Sequence, residues 1–404
     1  MFSRHRRPLL AAVALASAAA LALAGCSPRG GDAEPEAGDD SPIVIRGSWP
    51  LSGPLAAIGQ AAGGATAYFE AVNADGGIDG RPIDFEVLDD AYDPARLVSN
   101  NKEFIEQDDA IAVINFGGIA IPARAPINEA GVAQIVQAGN TPISDVDGFP
   151  YTRAFWPDVT WEGELQAEYI GEEFPDATVG YVGFNNDLSD SQVAGLQAGG
   201  LELAKVITLP PGQADVASQV TELQAAGVDV LVVTVGAPTM GALLSYLGEI
   251  DYHPAVFIGS TGADAQTAVI PAGPENVKDA YSFQWFKDPL DPAFADDAAL
   301  QQFRDDLEEY SPETEPNALS LHGYGLAAAI VSALREADEI TSDGFLAAWD
   351  SLSGAENPML VDGATLNAGP GGRLVYEYQL KQFDGETWVA LDDPVSVVEA
   401  GIAE

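Results

Sequence analysis

Asn73-Ala-Asp-Gly-Gly-Ile-Asp-Gly-Arg81 is the stretch from which the organisation of the chain can be read. Gly76 and Gly77 are placed to end a preceding helix in left-handed conformation, and Asp79-Gly80 makes a tight turn into a strand. Upstream, Ala56 to Asn73 has helical length and follows a strand candidate at Ile43–Trp49. Downstream come a strand at Phe85–Leu88 and a helix from Pro94 to Gln107. Ala110–Phe116 is a continuous apolar run that reads as a buried parallel strand. A short helix from Pro122 to Ala130 and a strand at Gln134–Gln137 close this first series.

The alternation then begins again. Helices are expected at Glu162–Phe174, Gln192–Leu203, Val216–Ala226 and Thr239–Ile250. Between and after them lie strands at Thr178–Phe184, Val206–Leu209, Val228–Val235 and Ala255–Gly259. Two successive β-α-β-α series imply two parallel sheets covered by helices, each a Rossmann-like lobe. The remainder differs: a strand at Ala280–Trp285 precedes helices at Phe294–Tyr310, Ala318–Glu336 and Phe345–Leu352. A hairpin of Arg373–Phe383 and Thr387–Leu391 turns at Asp384-Gly385.

The N-terminus carries its own message. Arg4, Arg6 and Arg7 precede an uncharged Ala- and Leu-rich run from Pro8 to Ala24, which ends in Leu23-Ala24-Gly25-Cys26. The order of basic region, short apolar run and small-residue junction is that of a cleaved export signal. The junction resembles a bacterial lipobox, which makes Cys26, the only cysteine, the expected lipidation site. Residues 27–42 are rich in Gly, Pro, Asp and Glu and read as a flexible tether. An extracytoplasmic, lipid-anchored location on the periplasmic side or outer face of the cell membrane follows. One cysteine allows no disulfide framework.

With 62 acidic against 17 basic residues the chain carries a formal charge of −45. Removing the leader, which holds three arginines and no acids, takes −45 to −48. Nothing gathers cations into a stripe, so a nucleic-acid or anionic-lipid surface is excluded. Such acidity fits a solvated surface in a salt-rich setting.

Three segments, in order and spacing, carry a resemblance: Pro50-Leu-Ser-Gly-Pro54, Asn73 to Arg81, and Asp89-Asp-Ala-Tyr-Asp-Pro94. Together with Glu162-Gly163, Tyr169-Ile170, Ala226-Gly-Val-Asp-Val230 and Gly323-Tyr324, they are similar to the branched-chain amino-acid-binding proteins of ABC importers. The resemblance implies a type I periplasmic binding protein fold, with two α/β lobes joined by three crossovers. It places residues 43–157 and 284–336 in lobe one, and 158–283 and 337–404 in lobe two. It also implies a small-molecule ligand held between the lobes, an ABC transporter permease as partner, a monomeric state and no cofactor.

Carried over by position, the ligand loops are Gly117-Gly118-Ile119 after the third strand and Ala138-Gly139-Asn140 after the fourth. Ile119 stands where amino-acid binders have a hydroxyl, and the two glycines either present N–H groups to an anion or only shape the turn. Asp158 lies about one residue from an acidic family position. Thr261 stands where a carboxylate normally pairs the ligand ammonium, with Asp264 three residues on. Ile58, Leu188 and Gly236 replace tyrosines common in the family, and Ser52 and Asp187 complete the set. Trp49 and Trp156, at strand ends, are candidate ligand platforms ahead of Trp161 and Trp285. The missing ammonium partner implies an amide, carboxylate or apolar acid as readily as an amino acid.

Other classes find little footing. His253 and His322 are isolated, so no metal site is expected. Gly-x-Ser-x-Gly, Gly-x-x-x-x-Gly-Lys and His-Glu-x-x-His are absent, so an enzyme is not expected, although a carboxylate-based hydrolase has no motif to test. A ligand-binding sensor of the same fold is the alternative to an importer component.

Overall fold

The computed structural model describes residues 41–53 and 55–403. The leader, Cys26 and the tether as far as residue 40 lie outside the described residues. The first series forms β1 (Ile43–Trp49), α1 (Gln60–Ala74), β2 (Ile83–Asp89), α2 (Pro94–Gln107), β3 (Ala112–Phe116), α3 (Arg124–Ala130), β4 (Ala133–Gln137) and β5 (Thr152–Ala154). The second forms α4 (Val159–Glu173), β6 (Val179–Phe184), α5 (Asp187–Ala198), β7 (Leu203–Leu209), α6 (Ala217–Ala225), β8 (Val230–Thr234), α7 (Ala237–Glu249) and β9 (Ala255–Ile258). Then come α8 (Pro274–Val277), β10 (Tyr281–Gln284), α9 (Ala298–Tyr310), α10 (Ala318–Glu336), α11 (Ser342–Trp349), β11 (Glu377–Phe383), β12 (Trp388–Ala390) and β13 (Val395–Ser396).

One sheet has the order β2-β1-β3-β4-β5 with every pairing parallel. The other has the order β12-β11-β10-β9-β8-β6-β7, parallel from β10 to β7, with β11 antiparallel to β10, β12 and β13. The expectation of two parallel sheets therefore holds for one sheet fully, and the C-terminal hairpin makes the other mixed. The chain passes between the sheets three times, through residues 155–158, 285–297 and 350–376.

The central strands β3, β4, β6 and β8 are buried on both faces, as parallel strands generally are. The first sheet is buried by α2 and α3 on one side and by α1, α10 and their neighbours on the other. The packing of α1 on α10 is close because both helices carry glycine at the crossing. A Cβ on Gly64 would lie 1.8 Å from the Ser320 carbonyl oxygen, and one on Gly323 would lie 1.7 Å from that of Ala61.

Helix α10 falls where the sequence places it, because Asn317 closes a capping box with Ser320 and apolar residues follow on almost every face. Helix α5 begins five residues before its expected start. The Asn186 side chain accepts from the Ser189 N–H and starts it early, and Gly199 ends it. Helix α11 belongs to the stretch assigned by sequence to lobe two, but it packs on α10 and β4 of the other sheet. Phe345 and Trp349 are fully buried there, and Arg153 pairs with Asp350 at its end.

Candidate ligand cleft

A cleft of about 290 Å³ opens between the two sheets. Its walls come from the C-terminal ends of strands and the turns that follow, where α/β sheets generally bind ligands. Tyr92 follows β2, and Phe116 ends β3. Phe184 and Leu188 stand at the exit of β6, Val235 and Gly236 at that of β8, and Ser260, Thr261 and Asp264 after β9. Trp156 and Phe286 come from the first and second interlobe passages, and His322 from the first turns of α10.

The lining is mostly apolar and rich in rings, and no lysine or arginine of the described residues contributes to it. Trp156 meets Phe116 edge-on at 5.7 Å and His322 at 5.2 Å. His322 stacks on Trp285 at 5.1 Å and stands edge-on to Phe286 at 4.3 Å. Burial pushes His322 down to about 3, so its imidazole is neutral at ordinary pH. Neither of its ring nitrogens, nor Nε1 of Trp156, has a hydrogen-bond partner among the described residues.

The loop after β9 is fixed from behind. Glu162, fully buried on α4, accepts from the Ser260 N–H at 2.8 Å and the Ser260 hydroxyl at 2.7 Å. Burial pushes this carboxyl up to about 7, against the opposing effect of those two hydrogen bonds. Gln166 donates to Glu162 and Gln192 donates to Gln166, which ties α4 and α5 to the same network. Among the described residues, Asp264 is the one carboxylate of the lining. Its charge adds to burial in raising Asp288, on the second passage, to about 6.

Of the residues singled out by sequence, Ile58, Trp156, Leu188, Gly236, Thr261 and Asp264 line the cleft. The others stand beside or behind it. Trp49 is a core residue whose indole N–H donates to Gln137 at 3.2 Å. Ser52 is exposed and bonded to Asp89. Gly117 lies beneath the Tyr92 ring, Gly118 lies against Asn140, and Ile119 packs in the cluster under β3 and β4. Ala138 and Asn140 offer their carbonyls to Arg373, and Gly139 has no room for a Cβ beside Val159. Asp187 opens α5, where its carbonyl accepts from Ser191.

Asp158 is committed elsewhere. It caps α4 and accepts from Thr141 at 2.6 Å, and it pairs with the wholly buried Arg373 at 3.2 Å. Arg373 also donates to the carbonyls of Ala138, Trp156 and Asn140 and to Ser144, so one guanidinium ties the first and third passages to the end of β4. Sequence reasoning missed Arg373 as well as Tyr92, Phe116, Phe184, Phe286 and His322 as lining or supporting residues. Position at the C-terminal end of a strand was an available signal for Phe116 and Phe184, and position in the turn after a strand was one for Tyr92. None pointed to His322.

The family model described as "Periplasmic binding protein" matches residues 42–386. Among curated relatives, the Leu/Ile/Val-binding protein homolog 3 of Brucella melitensis is 28% identical over 188 residues, covering 45% of this chain and 51% of that protein. The chain thus matches about half the length of that relative. Among solved structures, a branched-chain amino acid ABC transporter protein from Thermus thermophilus with bound valine superposes with a TM-score of 0.79. It is 16% identical and is matched over 89% of this chain and 97% of its own. A fatty acid ABC transporter substrate-binding protein from Thermomonospora curvata gives 0.75 at 20% identity, over 89% and 93% of the two chains. These two likenesses are of fold. Two α/β sheets joined by three passages, a cleft at their strand ends and a match over residues 42–386 place this chain in the periplasmic binding protein family.

Proposed function

We propose that the chain is the extracytoplasmic solute-binding component of an ABC importer, anchored by a lipid on Cys26, and that it is not an enzyme. It takes up a small solute between its lobes and delivers it, as a monomer, to a membrane permease. The observation that carries the reading is the cleft itself: ring-lined, without lysine or arginine among the described residues, and built at strand ends on either side of three chain passages. The solute has an apolar body and carries no net positive charge. Ile58, Trp156, Leu188, Gly236 and Thr261 contact it, with Phe116, Phe184 and Phe286 completing the walls. Structural neighbours of the same fold, one with bound valine and one named for fatty acids, are consistent with an apolar ligand body.

The test is a thermal-shift screen on the segment from Ser27 onward, which contains every described residue. The panel holds valine, leucine, arginine, benzoate, benzamide and octanoate. A binder gains about 3 kcal/mol of stability at a hundredfold excess over its dissociation constant, and chromatography recovers the ligand unchanged. Preference for arginine over benzamide and octanoate would overturn the solute class, and conversion of the ligand would overturn the binding role. Labelling of the full chain with radioactive palmitate, abolished by Cys26→Ser, checks the anchor.

A further inference from the structure

The turn after β2 holds two consecutive non-glycine residues in the left-handed region, Ala91 at φ 51° and Tyr92 at φ 60°. L side chains rarely adopt this conformation, and a pair in succession persists only where the surroundings impose it. Here three aspartates do so. Asp89 accepts from the N–H groups of Leu51, Ser52 and Ala91. Asp90 accepts from the Tyr92 N–H at 2.8 Å and the Ser48 hydroxyl at 2.9 Å, and Asp93 caps α2 immediately afterwards.

The side chain presented by this turn lies in the cleft. Its ring rests over Gly117, where a Cβ would stand 3.2 Å from both Cε2 and Oη of Tyr92. Gly117 itself has φ 74°, so the loop after β3 is shaped to receive the ring. Among the described residues the Tyr92 hydroxyl has no hydrogen-bond partner. Burial and the Asp90 charge both raise it above the ordinary phenol value, so it remains a protonated donor. In a cleft without lysine or arginine, such a donor is suited to an uncharged or anionic oxygen.

We propose that Tyr92 is a specificity-determining residue of the cleft: its hydroxyl donates to a carbonyl or carboxylate oxygen of the bound solute, and the strained Ala91–Tyr92 turn aims it. This rests on the solute-binding reading above. The test compares Tyr92→Phe and Ala91→Gly with the parent segment from Ser27 onward, using benzoate, benzamide, octanoate and valine as probes in calorimetric titrations.

Tyr92→Phe keeps the ring over Gly117, so its melting temperature stays with that of the parent. Its affinity for a probe that binds the parent falls about five- to tenfold, the loss of one hydrogen bond. Ala91→Gly relieves the backbone and melts about 1–3 °C higher, while the same probe binds at least about threefold more weakly because the ring is no longer aimed. Unchanged affinity in Tyr92→Phe, or no rise in the melting temperature of Ala91→Gly, overturns the proposal. If no probe binds the parent, the solute class is at fault and the turn is judged without ligand. A crystal structure of a higher-melting Ala91→Gly that has lost the Tyr92–Gly117 contact then supports the aiming role, and one that retains the contact overturns it.

Discussion

Asp158 and Asp264 were the two carboxylates available to hold a ligand ammonium, and only Asp264 stands in the cleft. Asp158 already neutralises Arg373, and withdrawing it would leave a buried guanidinium unpaired. Asp264→Asn therefore decides the sign of the solute. An anionic solute such as benzoate or octanoate binds this variant as tightly as the parent or more tightly, because a nearby negative charge has gone. A loss of tenfold or more, read by titration calorimetry, would instead identify Asp264 as the partner of a cationic head.

Glu162 gives a second residue-scale test, in pH. Its folded value of about 7 lies above the ordinary 4.5, so the folded state holds the proton more firmly than the unfolded one. Its contribution is complete below about pH 4.5 and is lost as pH rises through about 7, by an amount on the order of 3 kcal/mol. Asp288, raised to about 6, acts in the same direction. His322, lowered to about 3, opposes both below about pH 6.5, because there the unfolded chain binds its proton. Comparison with Glu162→Gln isolates the one group. The urea midpoint of the parent falls more than that of the variant between pH 5 and pH 8. Parallel profiles would mean that the carboxyl is not raised.

At the scale of elements, the interlobe passages depend on Arg373. Replacing it with Met leaves Asp158 as a buried charge without its cation and removes the donor from the carbonyls of Ala138, Trp156 and Asn140. The expected cost is about 3–5 kcal/mol, read as a lower guanidinium midpoint with an unchanged slope. An effect below 1 kcal/mol would mean that the passages hold together by apolar packing alone. No local pattern announces such a residue, since its partners lie more than 200 positions away in sequence. What was legible were features with a local cause. Helix α2 begins at Asp93-Pro94 because a cap and a favourable first-turn proline coincide, and β1 spans Ile43–Trp49 as expected. The three-residue β5 was too short to carry a pattern, and the seating of α11 on the first sheet depends on long-range packing of Phe345 and Trp349. The site follows the same division. Strand ends located the loops, but which side chain turns inward depends on backbone register: Ile119 turns to the core, while Phe116 and Tyr92 fill the cleft beside it.

At the scale of the whole molecule, charge is the dominant unbalanced quantity. Seventeen cations cannot neutralise 62 acids, and several of those cations already sit in short ion pairs, such as Arg46 with Asp84 and Asp108 or Lys287 with Asp297 and Asp362. The remaining acids repel one another across the surface, which favours expansion of the chain over compaction. Salt screens that repulsion: the Debye length falls from about 10 Å at 0.1 M to about 3 Å at 1 M. Among the described residues the exposed ion pairs that salt also weakens, such as Lys102 with Glu106 and Lys205 with Glu222, are few and worth little, so the net effect has one sign. The melting temperature of the segment from Ser27 onward rises by several degrees between 0.02 M and 0.5 M sodium chloride and levels off above, where screening is nearly complete. Continued growth in proportion to concentration beyond 1 M would point to a general exclusion effect on apolar burial. A melting temperature that falls with salt would mean that ion pairs, rather than repulsion among the acids, set the balance.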